Sequence, residues 1–345
     1  DYDNSLSGRP GSVVTFRNTG TGSFIPDFTL KHPSPSHGDD CGSSVAVGDF
    51  NGDGNDDIVM GCVHDDFGPF TDAGSVVVFE KTATGFSTGT VLQHPSPKNG
   101  DFCGHSVAVG DLNGDGKDDF IVMGCPGDEN IFAGGSANEG SIVVFKKTAA
   151  GFSGGTLLQH PSPAIGDYCG VSVATGDFDG DGDDDIVMGC REDDSGQGSA
   201  VVFKNNGGSF THWTLLKHPS PSANDFCGVS VATGDFDGDG DDDIVMGCYG
   251  DDSSQGSAIV FKSNGGTFTH WATLKHPSPA ANDFCGSSVA TGDFDSDGDD
   301  DIVMGCYRDD GDQGSVVVFE STGGSFSSGS VFYHPSPEAS GTCGW

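Results

Sequence analysis

Apolar runs of five to seven residues, rich in Val, Ile and Phe, alternate along the chain with short polar segments of Gly, Asp, Ser and Pro. Branched and aromatic residues bounded by turn formers are strand signals. No segment sustains the i, i+3, i+4, i+7 spacing of an amphipathic helix. The runs recur in fixed order. His-Pro-Ser-Pro begins at His32, His94, His160, His218, His276 and His334, at spacings of 62, 66, 58, 58 and 58 residues. Between copies come a Cys-Gly pair, Ser-Val-Ala-x-Gly-Asp, an Asp-rich turn, a Val-Met-Gly-Cys segment, Gly-Ser-x-x-Val-Phe and a last apolar segment. Four strands per unit of about 60 residues is the arithmetic of a propeller blade. The second strand (Ile58, Val59, Met60) and the third (Val76 to Phe79) are apolar on both sides, which suits sheets stacked between neighbours. The fourth is the most polar, as an outer edge should be.

The phase of the repeat predicts an all-β, four-stranded-blade β-propeller with five complete blades and the outer strand pair of a sixth. The chain opens on a third and a fourth strand (Gly11 to Phe16, Phe28 to Leu30) and closes at Cys343-Gly344-Trp345, where another first strand begins. We therefore expect a six-bladed ring closed by a hairpin beyond Trp345, with seven blades as the alternative. The units form a single domain over 1–345: an outer half-blade at 1–35, full repeats at 36–97, 98–163, 164–221, 222–279 and 280–337, and the start of another at 338–345.

Charge narrows the partners. Lys and Arg total 14 against 52 Asp and Glu, a formal net charge of −38. Nucleic acid and anionic membranes require a basic face, so this balance argues against both and favours cations. No apolar run approaches the roughly 18 residues of a membrane-spanning helix. Residue 1 begins no signal peptide, and the chain reads as soluble and either mature or internally excised. Disorder is a poor reading, because the acids fall at fixed intervals between β-rich runs.

The acids concentrate in five loops between first and second strands. Oxygen-bearing residues occupy positions 1, 3, 5 and 9, with Gly at position 6. The candidate cation ligands are Asp49, Asn51, Asp53, Asn55 and Asp57; Asp111, Asn113, Asp115, Lys117 and Asp119; Asp177, Asp179, Asp181, Asp183 and Asp185; Asp235, Asp237, Asp239, Asp241 and Asp243; and Asp293, Asp295, Asp297, Asp299 and Asp301. Position 7 varies freely (Asn55, Lys117, Asp183, Asp241, Asp299), as expected of a ligand that acts through its backbone carbonyl. Hard cations of Ca²⁺ size take six to eight such oxygens. Asp and Gly also make good hairpin turns, but a plain turn does not need so many carboxylates. The loops hold 26 of the 52 acids, which would repel strongly without about five Ca²⁺ ions. Position 12 is Met60 rather than Glu, so the likeness to an EF-hand stops at the loop's first half.

These residues resemble the FG-GAP repeat, the pattern Phe-Gly … Gly-Asp-x-Asn-Gly-Asp-Gly-x-x-Asp … Gly-Ala-Pro of the integrin alpha-subunit head and of many extracellular propellers. The resemblance covers essentially the whole chain and recurs five times. It implies Ca²⁺ bound between the two innermost strands of each blade. Cys41-Gly42 stands where Phe-Gly would be and Gly61-Cys62 where Gly-Ala would be, while Gly124-Cys125-Pro126 keeps the Pro. Two positions per blade have thus become Cys.

Within a repeat these cysteines lie 21 or 22 residues apart, at the same end of a hairpin. The expected bridges are Cys41–Cys62, Cys103–Cys125, Cys169–Cys190, Cys227–Cys248 and Cys285–Cys306, with inter-blade pairing as the competitor. Zinc would need clustered ligands, and no Cys-x-x-Cys occurs. Such pairing places the chain in an oxidising, extracellular compartment. Cys343 is left over.

The His-Pro-Ser-Pro histidines could be ligands, but the bland reading is a strand cap before a Pro-stiffened connector. Trp213 and Trp271 could stack on sugar rings or simply cover their own blade edges. The longer loops after Cys62 and Cys125 are where a partner surface would grow, around His64, Asp65, Phe67, Phe70, Asp128, Asn130 and Phe132. Three functions compete. A non-enzymatic extracellular calcium-binding module for structure or adhesion, in a cell surface, matrix or filament, fits the repeats, loops and disulfides. A lectin is the first alternative. A propeller-type polysaccharide lyase is the second, and nearly interchangeable repeats argue against its asymmetric catalytic cluster. No catalytic residue is assigned. Partners would be calcium and a protein or glycan of the surface or matrix. A chain ending at Trp345 would leave strands and Cys343 for head-to-tail self-association into a filament.

Overall fold

The computed structural model describes residues 10–20, 22–129 and 138–333. Asn130, Phe132, His334 and Cys343 lie outside them. The chain divides into two compact units, one of residues 1–111 and 116–159, the other of 112–115 and 160–345.

The first unit holds an antiparallel pair, Val13–Asn18 with Phe24–Leu30, and two blades. Blade 1 runs Cys41–Gly48, Asp57–Cys62, Ser75–Phe79 and Thr90–Leu92, each strand antiparallel to the next. Blade 2 runs Val107–Gly110, Phe120–Cys125, Ser141–Thr148 and Thr156–Leu158, with the short Gly151–Phe152 strand paired to its third. The second unit holds blade 3 (Cys169–Gly176, Asp185–Cys190, Ser199–Asn205, Phe210–Leu216), blade 4 (Cys227–Gly234, Asp243–Cys248, Ser257–Lys262, Thr269–Leu274) and blade 5 (Cys285–Gly292, Asp301–Cys306, Ser315–Phe319, Ser330–Tyr333). Among the described residues, helix is confined to three four-residue turns.

The all-β, four-stranded β-propeller blade architecture and the five complete blades are thus as the repeat predicts, but among the described residues the blades number five, not six or seven. Ser-Val-Ala-x-Gly-Asp occurs five times, and among the described residues the Val13–Asn18 and Phe24–Leu30 pair stands as a two-stranded sheet without an inner hairpin.

Second strands are buried along their length, and within each unit the neighbouring sheet packs against them. In the second unit, Phe178 closes a core with Val187, Val202, Ile244, Met246 and Phe261. Phe236 does the same one blade on, with Val260, Ile302, Met304 and Phe319. Their counterpart Phe294 is 57% exposed, since no blade follows it among the described residues. All five intra-blade disulfides form as expected. In four blades the bridged cysteines face each other in the register that ends the inner hairpin. The residue before each first Cys (Asp40, Phe102, Tyr168, Phe226, Phe284) has φ between 48° and 53°, a strained conformation for bulky side chains. The Asp before it (Asp39, Asp101, Asp167, Asp225, Asp283) is buried in every blade.

Candidate metal centres

Each Asp-rich loop is wrapped around the carboxylate at its first position. The amide of the position-6 Gly donates to that carboxylate in all five loops: Gly54 to Asp49 (2.7 Å), Gly116 to Asp111 (2.6 Å), Gly182 to Asp177 (2.8 Å), Gly240 to Asp235 (2.9 Å) and Gly298 to Asp293 (3.3 Å). These glycines have φ between 80° and 102°, where only Gly is unstrained. Position 5 donates as well, Asp53 to Asp49 and Asp181 to Asp177. Loop 2 is divided between the two units, with Asn113 and Asp115 in the second and Asp111, Lys117 and Asp119 in the first.

In blade 3 the carboxylates of Asp177, Asp179 and Asp185 converge, with one oxygen from each within 4.8 Å of the others. In blade 4, Asp235, Asp237 and Asp239 do the same. A protein cation already sits among them. Lys204 Nζ bridges Asp179 and Asp181, and Lys262 Nζ bridges Asp237 and Asp239. Asp179 Oδ1 and Asp237 Oδ1 remain buried without a hydrogen-bond partner. An all-oxygen donor set with buried orphan oxygens, attractive enough to draw in an ammonium, fits a hard cation. In blade 5, Asp295 and Asp297 accept the amides of Asp297 and Asp299. Position-7 side chains point elsewhere: Asn55 donates to Asp53, and Asp241 and Asp299 accept the Gly265 and Gly323 amides.

Position 9 does more than the sequence suggests. Asp185 accepts the Asn205 amide on one oxygen (2.7 Å) and the Phe178 amide on the other (3.2 Å). Asp243 and Asp301 repeat this with Ser263 and Phe236, and with Ser321 and Phe294. Asp57 takes the Lys81 amide. This carboxylate therefore ties the third strand to the loop. Burial, the largest effect, raises Asp185 and Asp243 to about 7 and Asp57 to about 6, against those amide bonds.

Position 8, which the sequence reading leaves without a role, latches one blade to the next. Asp118 Oδ2 accepts the Asp49 amide, and Asp242 Oδ2 the Asp177 amide, both at 3.1 Å. The Asp242 amide returns a bond to the Asp177 carbonyl at 2.8 Å. The carboxylate fits because Gly48, Gly176 and Gly234 end the first strands: a Cβ there would lie 2.5 Å from the Oδ2 of Asp118, Asp242 or Asp300. The signal was available, since an Asp stands at position 8 in all five loops (Asp56, Asp118, Asp184, Asp242, Asp300).

The other singled-out residues are scattered. Trp213 is half-buried, edge-on to Phe268 at 5.6 Å, with Lys204 Nζ 5.0 Å above its ring. Trp271 lies 5.1 Å from Phe326, under Lys262. Both rings thus pack on the following blade. His64 Nδ1 lies 3.0 Å from Asp72 Oδ1 and its ring stands edge-on to Phe102. Phe67 and Phe70 pair through their backbones, and Phe67 is 42% exposed. Asp65 and Asp128 are buried, facing His32 and His94 rather than a partner surface.

Fold and loops together define a class: a repeat protein of four-stranded blades whose inner hairpin carries an acidic, glycine-turned loop. The FG-GAP-like repeat model matches residues 4–60, 177–246 and 235–304, and the FG-GAP repeat model matches 42–79 and 104–145. The chain belongs to the FG-GAP repeat family. Integrin alpha pat-2 of Caenorhabditis briggsae is 29% identical over 275 residues, covering 72% of this chain and 21% of that protein. The chain spans about a fifth of the length of such relatives. A protein of known structure from Lactobacillus plantarum shares the fold, with a TM-score of 0.51 at 15% identity over 92% of this chain and 75% of its own. The exotype rhamnogalacturonan lyase YesX superimposes more loosely, with a TM-score of 0.47 at 18% identity over 82% of this chain and 48% of its own. That likeness is too loose to carry chemistry across.

Proposed function

We propose that this chain is a non-enzymatic, extracellular calcium-binding module for adhesion to a protein or matrix partner. The observation that carries the reading is the convergence of Asp177, Asp179 and Asp185 around a buried, unpartnered oxygen in a loop whose pattern recurs five times. Five disulfides support an oxidising compartment. Membership of a family that includes integrin alpha chains supports an adhesive role. The side chains at positions 1, 3, 5 and 9 and the carbonyl at position 7 would hold each ion. Ca²⁺ would supply charge compensation and rigidity there. In blades 3 and 4 it would displace the lysine ammonium from between the carboxylates.

The test couples ion count to adhesion. Calorimetric titration of the EDTA-stripped, disulfide-intact chain should find about five Ca²⁺ sites, and Asp179→Ala should remove one of them. Cells plated on surfaces coated with the protein should attach in Ca²⁺ and detach in EDTA. Ca²⁺ binding without Ca²⁺-dependent attachment would refute the adhesive role, and absence of Ca²⁺ binding would refute the reading at its base.

A further inference from the structure

The inner hairpin of each blade has a second cluster at the end opposite its Asp-rich loop, beside the disulfide. It joins the His of His-Pro-Ser-Pro, the Asp two residues before the first Cys and the Asp three residues after the second. In blades 1, 2 and 5 these are His32, Asp39 and Asp65; His94, Asp101 and Asp128; and His276, Asp283 and Asp309. All nine residues are buried, none more than 8% exposed. Within each trio, one ligand atom per residue lies within 4.8 Å of the others.

The polar atoms facing the centre of these trios lack partners. Nε2 of His32, His94 and His276 makes no hydrogen bond, and neither do Asp101 Oδ1, Asp128 Oδ2 and Asp309 Oδ2. The Nε2-to-carboxylate distances are 3.6, 3.6 and 3.4 Å, too long for a good hydrogen bond. They match the edge of a tetrahedral site, since ligands about 2.0–2.1 Å from Zn²⁺ lie about 3.4 Å apart. Two buried carboxylates so close need a positive charge.

Blades 3 and 4 show how the fold can meet that need. There Lys217 Nζ, paired with Asp194, lies 3.5 Å from Asp193 Oδ2, and Lys275 Nζ, paired with Asp252, lies 3.6 Å from Asp251 Oδ2. Both are near enough to offset charge, although His160 Nε2 and Asp193 Oδ2 still make no hydrogen bond. In blades 1 and 2 the residue at that position is Gln93 or Gln159. In blade 5 it is Tyr333, which brings no cation. Lys98 comes within 4.0 Å of Asp128 in blade 2 but donates to the Glu129 carbonyl.

We propose that blades 1, 2 and 5 each bind a first-row divalent transition ion of the Zn²⁺ type through one imidazole and two carboxylates, while a lysine fills that role in blades 3 and 4. The nitrogen donor separates these centres from the all-oxygen loops. Binding has a structural consequence. Nδ1 of each His now accepts the amide of the Ser two residues on, at 3.2 Å, which leaves the ring proton on Nε2. Coordination through Nε2 moves that proton to Nδ1 and breaks this contact.

The test is a Zn²⁺ titration of the intact, oxidised chain in saturating Ca²⁺, with the ion count read by calorimetry and mass spectrometry. The expected count is three. His32→Gln, His94→Gln and His276→Gln should each remove one site. Lys217→Gln and Lys275→Gln, which copy the glutamines of blades 1 and 2, should each add one without loss of fold. Nitrogen-15 spectra of the histidines should switch from the Nε2–H to the Nδ1–H tautomer as Zn²⁺ binds. A zinc count unchanged by the His and Lys substitutions, retention of Nε2–H at saturation, or no Zn²⁺ binding above the Ca²⁺ background would each overturn the proposal.

Discussion

Replacing Asp242 with Asn tests whether the inter-blade latch carries a strained charge. Asp242 Oδ2 accepts the Asp177 amide from the preceding blade. Burial, then repulsion from Asp184, Asp235 and Asp300, outweighs that bond and raises its pKa from 3.8 to about 7. A carboxyl whose pKa is higher folded than unfolded favours the folded state only while protonated. Its contribution is complete below about pH 4 and is lost as pH rises through about 7. At about 1.4 kcal/mol per pH unit the full rise would amount to about 4 kcal/mol, and partial exposure reduces this to about 2 kcal/mol. Asn keeps the acceptor and removes the charge. In EDTA, Asp242→Asn should therefore match the parent at pH 4 and exceed it by about 2 kcal/mol at pH 8. Asp242→Ala, which orphans the Asp177 amide, should fall below Asn by about 1–3 kcal/mol at either pH. Urea unfolding without reductant, followed by the fluorescence of Trp213 and Trp271 in the same unit, measures all three. Parallel pH profiles for the parent and Asp242→Asn would refute the reasoning.

Further outcomes are expected. Saturating Ca²⁺ should flatten the parent's loss of stability between pH 4 and 7, because a neighbouring cation lowers carboxylate pKa values; thermal melts at several pH values with and without Ca²⁺ will show it. Phe178→Ala should cost about 3–5 kcal/mol, as for other fully buried aromatics, whereas Phe294→Ala, at 57% exposed, should cost under about 1 kcal/mol; chemical unfolding of both variants makes the comparison. Removing one bridge by Cys227→Ala with Cys248→Ala should lower stability by about 2–4 kcal/mol, readable as a shift in the urea midpoint.

Strands, blades and disulfide pairing were legible because each rests on local information. Val-Ile-Phe runs between turn residues define the strands, and the spacing of Cys41 and Cys62 sets them at one end of a hairpin. The acidic loops were legible for the same reason, since nine consecutive residues carry the whole motif. What was hidden depends on contacts distant in sequence. Asp242 looks like one more acid in a crowded loop until its partner, Asp177, is placed beside it from 65 residues away. His32 reads as a cap because Asp65 lies on another connection and does not stand out among 52 acids. Trp213 resembles a sugar platform until Phe268 closes on it. Repetition was the signal that could have exposed the first two. Asp occurs two residues before the first Cys and three after the second in all five units, a regularity that turn chemistry alone does not require.

The paired bonds between Asp177 and Asp242 place the acidic bends in series. The residue that carries the first carboxylate of one bend is held at both its N–H and its C=O by the acid at the eighth position of the next, and Asp300 holds Asp235 in the same way. A change in one bend therefore reaches its successor through a single residue, as in a row of coupled springs. Ion uptake along blades 3 to 5 should accordingly be steeper than for independent sites, and damage to one bend should loosen its neighbour before it reaches the rest of the sheet.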